Sequence, residues 1–162
     1  MKTIGLLSDT HGFLDPRIFQ HFASCDEIWH AGDIGSIDIV DQLTAFKPLR
    51  AVHGNIDGYD IRQVCPMFLR FRCEEVNVLM THIGGYPGHY SAEGKALLTI
   101  EKPNLFVCGH SHILKVMYDQ QYNMLTMNPG AAGRYSFHKV QTLLRFTIEG
   151  EKIGDLEVIE LS

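Results

Sequence analysis

The sequence predicts an α/β fold, a sandwich of two sheets with mixed and antiparallel strands flanked by helices, built from a single domain over residues 1–162. Three observations carry this expectation. In the first third, apolar runs alternate with amphipathic helical runs in the order β-α-β-α-β, which requires parallel strands with helices packed outside them. Two strands separated only by Glu74 and Glu75 then read as a hairpin. The last third is a succession of short strands punctuated by turn residues, which adds a second, largely antiparallel sheet. A chain of 162 residues buries about two-thirds of its unfolded surface, enough for such a core.

Each element has its own signal. Residues Thr3–Ser8 are apolar and branched like a buried strand. "LDPRIFQHFASC" reads as a helix capped by Asp15, with Pro16 at its first position and Ile18, Phe19 and Phe22 on one side. "DEIWHAGD" is a short strand running into a loop. "SIDIVDQLTAF" is a helix capped by Ser36, with Ile37, Val40 and Leu43 facing inward. "PLRAVHGN" is the third strand, and Ile56–Pro66 reads as a loop. "MFLRFRC" and "VNVLMTH" form the hairpin, "SAEGKALLTIEK" is a helix capped by Ser91, and "LFVCGHSH" is the strand after it. "LKVMYD", "NMLTMN", "TLLRFTIE" and "KIGDLEVIEL" complete the strands. No repeat or low-complexity segment interrupts them.

Composition narrows the function classes. Hydrophobic residues make up 45% and charged residues 20%, as in an ordinary globular protein. The apolar run at the N-terminus is broken by Asp9 and is too short for a signal peptide or a membrane span. No membrane association and a cytoplasmic location are therefore expected. The net charge of -5, with no cluster of Lys or Arg, argues against duplex nucleic acid as a partner. Four cysteines at 25, 65, 73 and 108 form no C-x-x-C pair and read as reduced thiols. Nine histidines are the unusual feature, because imidazole is the commonest metal ligand.

Where those histidines fall is informative. The first strand ends in "SDTHG" (Asp9, His11), the second in "HAGD" (Asp33) and the third in "HGN" (Asn55). The hairpin ends in "MTH" (His82) and the strand after the last helix in "CGHSH" (His110, His112). In open α/β sheets, ligands bind beyond the carboxyl ends of the strands. Five strand ends thus bring seven metal-competent side chains toward one place. Two carboxylates, four imidazoles and an amide exceed what a tetrahedral zinc can use. They suit two adjacent divalent ions with one carboxylate between them. Such a site stays cationic within an acidic protein and attracts small phosphate esters. Paired metals also clamp the attacking and leaving oxygens of an in-line displacement.

The series D-x-H, G-D, G-N, a lone H and G-H-x-H, in that order from Asp9 to His112, resembles the calcineurin-like metallophosphoesterases, and among them the small bacterial and archaeal phosphodiesterases. The resemblance covers nearly the whole chain. It implies a fold of two packed sheets covered by helices. It also implies a first metal held by Asp9, His11 and His112, a second held by Asn55, His82 and His110, and Asp33 bridging the two. A hydroxide between the two divalent ions is the nucleophile in this picture, with Asp33, Asn55 and His82 closest to catalysis. Manganese is the expected metal, with iron, zinc or nickel also accepted by such ligands. The partner is a small phosphate-ester substrate, and assembly into a homo-oligomer is left open.

One departure matters. In many relatives a histidine follows the "GN" pair and assists the leaving group, whereas here Ile56 follows Asn55. An isoleucine donates no proton, and losing a general acid lowers rate by roughly 10²–10⁴ where that role matters. The small phosphodiesterase branch often lacks the same histidine.

The remaining candidates have plainer readings. "NPGAAGR" lacks the lysine and hydroxyl of a Walker loop, so its resemblance-implied place is a close turn near the metals, with Arg134 assisting a phosphate. His30 and His53 read as supports behind the ligands, and His21 as helix surface. His89 and His138 read as loop residues, Asp57 as loop-shaping and Cys108 as core. The competing function class is a non-catalytic interaction scaffold like the retromer subunit that shares this fold but lacks part of the ligand set. All seven ligand positions are present here, which favours the enzyme.

Overall fold

A computed structural model describes residues 1–134 and 140–161. Its strands are β1 (Lys2–Leu7), β2 (Glu27–His30), β3 (Leu49–Ala51), β4 (Phe68–Cys73), β5 (Val76–Thr81), β6 (Leu105–Val107), β7 (Leu114–Asp119), β8 (Met124–Pro129), β9 (Thr142–Glu149) and β10 (Lys152–Glu160). The helices are α1 (Arg17–His21), α2 (Ile37–Phe46), α3 (Tyr59–Val64) and α4 (Ala92–Glu101). One sheet runs β10-β9-β1-β2-β3 and the other β4-β5-β6-β8-β7.

Both sheets are mixed. In the first, β1, β2 and β3 are parallel, β9 pairs antiparallel with β1, and β10 pairs antiparallel with β9. In the second, β5, β6 and β8 are parallel and only the outer pairs β4–β5 and β7–β8 are antiparallel. The largely antiparallel second sheet expected from the strand-rich tail is therefore corrected. The chain returns from β6 to β8 by way of the edge strand β7, a connection the strand pattern alone does not specify.

Alternation along each central strand builds the layers. Ile4 and Leu6 of β1 meet Val78 and Met80 of β5 and Leu105 and Val107 of β6 in the core between the sheets. Leu7 faces the other way, against Ile18 and Phe22 at α1 and Ile39 and Leu43 of α2. On the opposite outer face Leu79 and Phe106 pack on Leu98 of α4. The order is helices, sheet, sheet, helix.

The helices depart from their sequence signals in instructive ways. Ser36 and Ser91 cap α2 and α4 as expected, their hydroxyls accepting from Asp38 N (3.2 Å) and Gly94 N (2.9 Å). On α2, however, Ile39 is buried with Leu43, while Ile37 and Val40 are only half-buried at the margin. The first helix is shorter than its periodicity implies. Pro16 occupies the cap itself, and Asp15 accepts from Arg17 N (2.9 Å). Helix α3 lies inside the stretch read as a loop. It has six residues, a glycine cap with no side-chain acceptor, and Ile61 as its buried residue.

Candidate metal centre

The parallel strands of both sheets point their carboxyl ends at one edge of the sandwich, and the seven predicted residues meet there. Two groups form. Asp9, His11 and His112 bring ligand atoms within 4.8 Å of one another, and Asp33, His82 and His110 do the same. Asn55 Oδ1 lies 3.1 Å from His110 Nδ1, which puts the amide in the second group.

The two aspartates are oriented from behind. Asp9 Oδ2 accepts from Ser8 Oγ (2.7 Å) and from the His110 backbone (3.1 Å), so its other oxygen faces the centre. Asp33 Oδ1 accepts from Ile56 N (3.1 Å). Its Oδ2 sits 3.2 Å from His82 Nε2 and 3.5 Å from His11 Nε2, one imidazole from each group. That is the position a bridging carboxylate must hold. His82 Nδ1 donates to Ala31 O (2.8 Å) across the two sheets, which fixes the ring so that its Nε2 lone pair points inward.

Three buried atoms, Asp9 Oδ1, His11 Nε2 and His82 Nε2, have no hydrogen-bonding partner among the described residues. Leaving such atoms unsatisfied costs about 1–3 kcal/mol each unless something else binds them. All three face the same space. Lone pairs on two carboxylates and several imidazoles are the donor set of divalent transition metals, so the residues fit two such ions.

The electrostatics agree. Burial pushes the Asp9 carboxyl up, but His11, His112, His82 and Ser8 together hold it well below the usual range. Burial likewise opposes ionisation of Asp33, yet the His82 imidazole beside it and the Ile56 backbone bring its carboxyl down. The neighbouring Asp9 carboxylate raises the affinity of His11 for a proton against its partial burial. In His82 burial works against the proton, and the two aspartates overcome it. The centre is a fixed anionic trap that favours cations.

The backbone is bent to make it. Five of the nine non-glycine residues with left-handed φ among the described residues are Asp9, His11, Asp33, His110 and His112. Such conformations cost of order 1 kcal/mol or more and collect at functional sites. Close approach is the second requirement. A Cβ on Gly109 would lie 2.1 Å from Ser8 Oγ, and one on Gly54 would lie 2.1 Å from Asp33 Oδ1, so both positions need glycine.

Supports surround these ligands, of which Asn128 has no signal in the sequence and His30 and His53 take the place expected of them. Asp57, read as loop-shaping, accepts from the backbone of Ile34 (3.1 Å), Gly35 (2.8 Å) and Gly54 (2.8 Å), tying the Asp33 loop to the Asn55 loop. Asn128 donates to Gly109 O (3.0 Å) and Ser111 Oγ (3.1 Å) and so braces the "GHSH" turn. The turn "NPG" signals close backbone approach, but nothing in the pattern says what its asparagine holds. His30 sits behind the centre, accepting from Gly32 N (3.1 Å) and 3.0 Å from Thr10 Oγ1. His53 Nδ1 donates to Cys65 O (2.8 Å).

The other candidates lie outside the cluster. The Arg134 guanidinium stacks 3.8 Å over the Phe13 ring, two residues beyond His11. Cys108 is buried, its thiol pushed up to about 12 by burial, and all four cysteines are free. His89 is exposed with its ring 4.8 Å from Tyr86. His138 falls outside the described residues. No described helix is long and apolar enough to cross a membrane.

Two cavities flank the centre. One, about 250 Å³, begins at Gly109, His110 and Ser111 and continues past Tyr86, His89 and Lys115. The other, about 180 Å³, begins at Asn55 and His82 and runs past Arg62, Met67 and Leu97. Ile83 borders both.

Known proteins match this picture. The calcineurin-like phosphoesterase superfamily domain matches residues 1–151. A probable metallophosphoesterase of Methanothermobacter thermautotrophicus is 30% identical over 164 aligned residues, covering 96% of this chain and 91% of the relative. Among solved structures, Vps29 of Chaetomium thermophilum superposes with a TM-score of 0.77 at 13% identity, over 99% of this chain and 98% of that one. The phosphoesterase YfcE of E. coli superposes at 0.65 and 19% identity, over 88% and 87%. The last two show the shared fold, while the first two establish kinship. The chain belongs to the calcineurin-like phosphoesterase superfamily of metal-dependent hydrolases, on its small bacterial and archaeal branch.

Proposed function

We propose that this protein is a phosphodiesterase that works with two divalent ions, one held by Asp9, His11 and His112, the other by Asn55, His82 and His110, with Asp33 shared. The observation that carries the reading is the position of Asp33 Oδ2 between His11 and His82, beside three buried atoms without partners. When bound, such an ion pair supplies a hydroxide nucleophile of lowered pKa and the positive charge that a phosphoryl group needs in displacement. Manganese fits this set of oxygen and nitrogen donors, as do iron, zinc and nickel.

The chain's own residues do the rest. Ser8 and the His110 backbone keep Asp9 from rotating, and Ile56 N does so for Asp33. Arg134 contributes charge at the outer side of the bound phosphate. Preference for a diester rests on Ile56, whose side chain is 48% exposed where a leaving-group acid would serve an alkyl monoester. A phenolic leaving group departs without that proton, and two cavities give a diester's two arms separate places.

The test joins stoichiometry to turnover. Elemental analysis after titration with manganese should approach two ions per chain. kcat/KM should then rank an aryl diester above an aryl monoester and both above an alkyl monoester, with Ile56→His raising the last by up to about 10²-fold. No bound metal at saturating manganese would defeat the metal assignment. Alkyl monoesters turned over as well as aryl diesters would defeat the diester preference.

A further inference from the structure

The cavity beside His110 has a charge that the reaction itself does not use. Lys115 is half-buried on the edge strand β7, and its ammonium lies 3.8 Å over the ring of Tyr86. That contact holds the ammonium in place without neutralising it, since an aromatic face offers a quadrupole and no counter-charge. Among the described residues no carboxylate lines the cavity and Lys115 makes no ion pair. The contrast with the second cavity is direct. There the Arg62 guanidinium is committed to Asp57 O (2.6 Å) and Gly54 O (3.3 Å), and Glu93 stands in the same wall.

Lys115 is also built into the ligand framework. Its register partner on β8 is Asn128, the residue that braces Gly109 and Ser111 on either side of His110. Directly opposed residues in a sheet share a face, so the ammonium and the ligand turn are mounted on one rigid pair of strands. An unpaired cation fixed in the wall of a cavity that opens at the metal centre is suited to a second anionic group on the same substrate.

We propose that this cavity receives one arm of the phosphodiester, and that Lys115 selects arms ending in a second anionic group such as a phosphate or carboxylate. The inference rests on the phosphodiesterase reading above. Tyr86 and His89 border the arm on its way from the centre. The other arm, in the cavity lined by Met67 and Leu97, is uncharged.

Two diester analogues whose phosphorus carries only P–C bonds, and which therefore resist hydrolysis, test this: methyl(3-phosphonopropyl)phosphinate, which carries the extra anion, and methyl(propyl)phosphinate, which does not. Both are titrated calorimetrically into the manganese-loaded protein, and hydrolysis of bis(p-nitrophenyl) phosphate is measured on the same sample. The analogue with the extra anion should bind the wild type about tenfold or more tightly than the one without it. Lys115→Met should collapse that ratio to about one, while Lys115→Arg keeps it. Unchanged melting of Lys115→Met by calorimetry confirms that it is folded, and Lys102→Met, away from the cavity, should leave the ratio as in the wild type. Equal affinities in the wild type, or a preference that survives in Lys115→Met, overturns the inference even when the diester is hydrolysed. Failure to hydrolyse the diester overturns the phosphodiesterase reading, and with it the assignment of this cavity to a substrate arm.

Discussion

Asp33 is the residue on which both halves of the centre depend, because one of its oxygens stands between an imidazole from each group. Asp33→Asn keeps the shape and removes the charge, so turnover should fall to background while cooperative unfolding persists. His82→Ala should behave alike. Residual metal and full activity in either variant would place the chemistry elsewhere. His30 makes a separate prediction about acid. Its Nδ1 accepts from Gly32, which leaves Nε2 to carry the proton toward Thr10, whose hydroxyl donates to Ile34 O (2.8 Å). Complete burial favours this neutral ring and lowers its pKa from 6.5 to about 4. Between those values the unfolded chain takes up a proton that the folded chain refuses, so stability is full above the upper value and declines as pH falls toward the lower. The loss amounts to about 3 kcal/mol. Denaturant titrations of wild type and His30→Gln near neutral pH and near pH 4 should show a shallower decline in the variant. Parallel declines would show that His30 is not responsible.

At the scale of elements, Asp57 is the short cross-brace between the β2–α2 and β3–α3 connections. Asp57→Ala removes an acceptor from three backbone N–H groups and should cost about 3 kcal/mol or more. Manganese affinity should weaken with it, since Asp33 and Asn55 flank the brace. Calorimetric titration and thermal melting together check both effects, and an unaltered affinity would free the loops from this dependence. What the sequence reveals at this scale follows from chemistry. The strands of both sheets are legible because their apolar runs are bounded by turn residues, and the ligands because each sits just beyond such a run. Helix α3 is not legible, for it lacks a side-chain cap and buries only Ile61 among its six residues. Pairing partners are equally hidden, because the alternation in "LKVMYD" reports a face and not a neighbour. The roles of Asn128 and Asp57 depend on carbonyls and amides far away in the chain, which leave no local pattern.

Over the whole molecule, the centre joins the two sheets. Asp9, Asp33 and Asn55 follow β1, β2 and β3, whereas His82, His110 and His112 follow β5 and β6. Ions held from both sides stabilise only the assembled sandwich, by about 4 kcal/mol for a site at a thousand times its Kd. Chelation should therefore lower the melting temperature by on the order of 10 °C, and manganese should restore it. No shift on chelation would mean that the ions do not bridge the sheets. The position of β1 carries a further consequence. It pairs with β9 on one side and β2 on the other, so β1 waits for a strand that follows every ligand in the chain. The ligands reach only to His112, and a nascent chain displaying all seven still lacks the strand that closes β1. A fragment cut between β7 and β9 should therefore keep every ligand and still lose the framework that holds Asp9 in place.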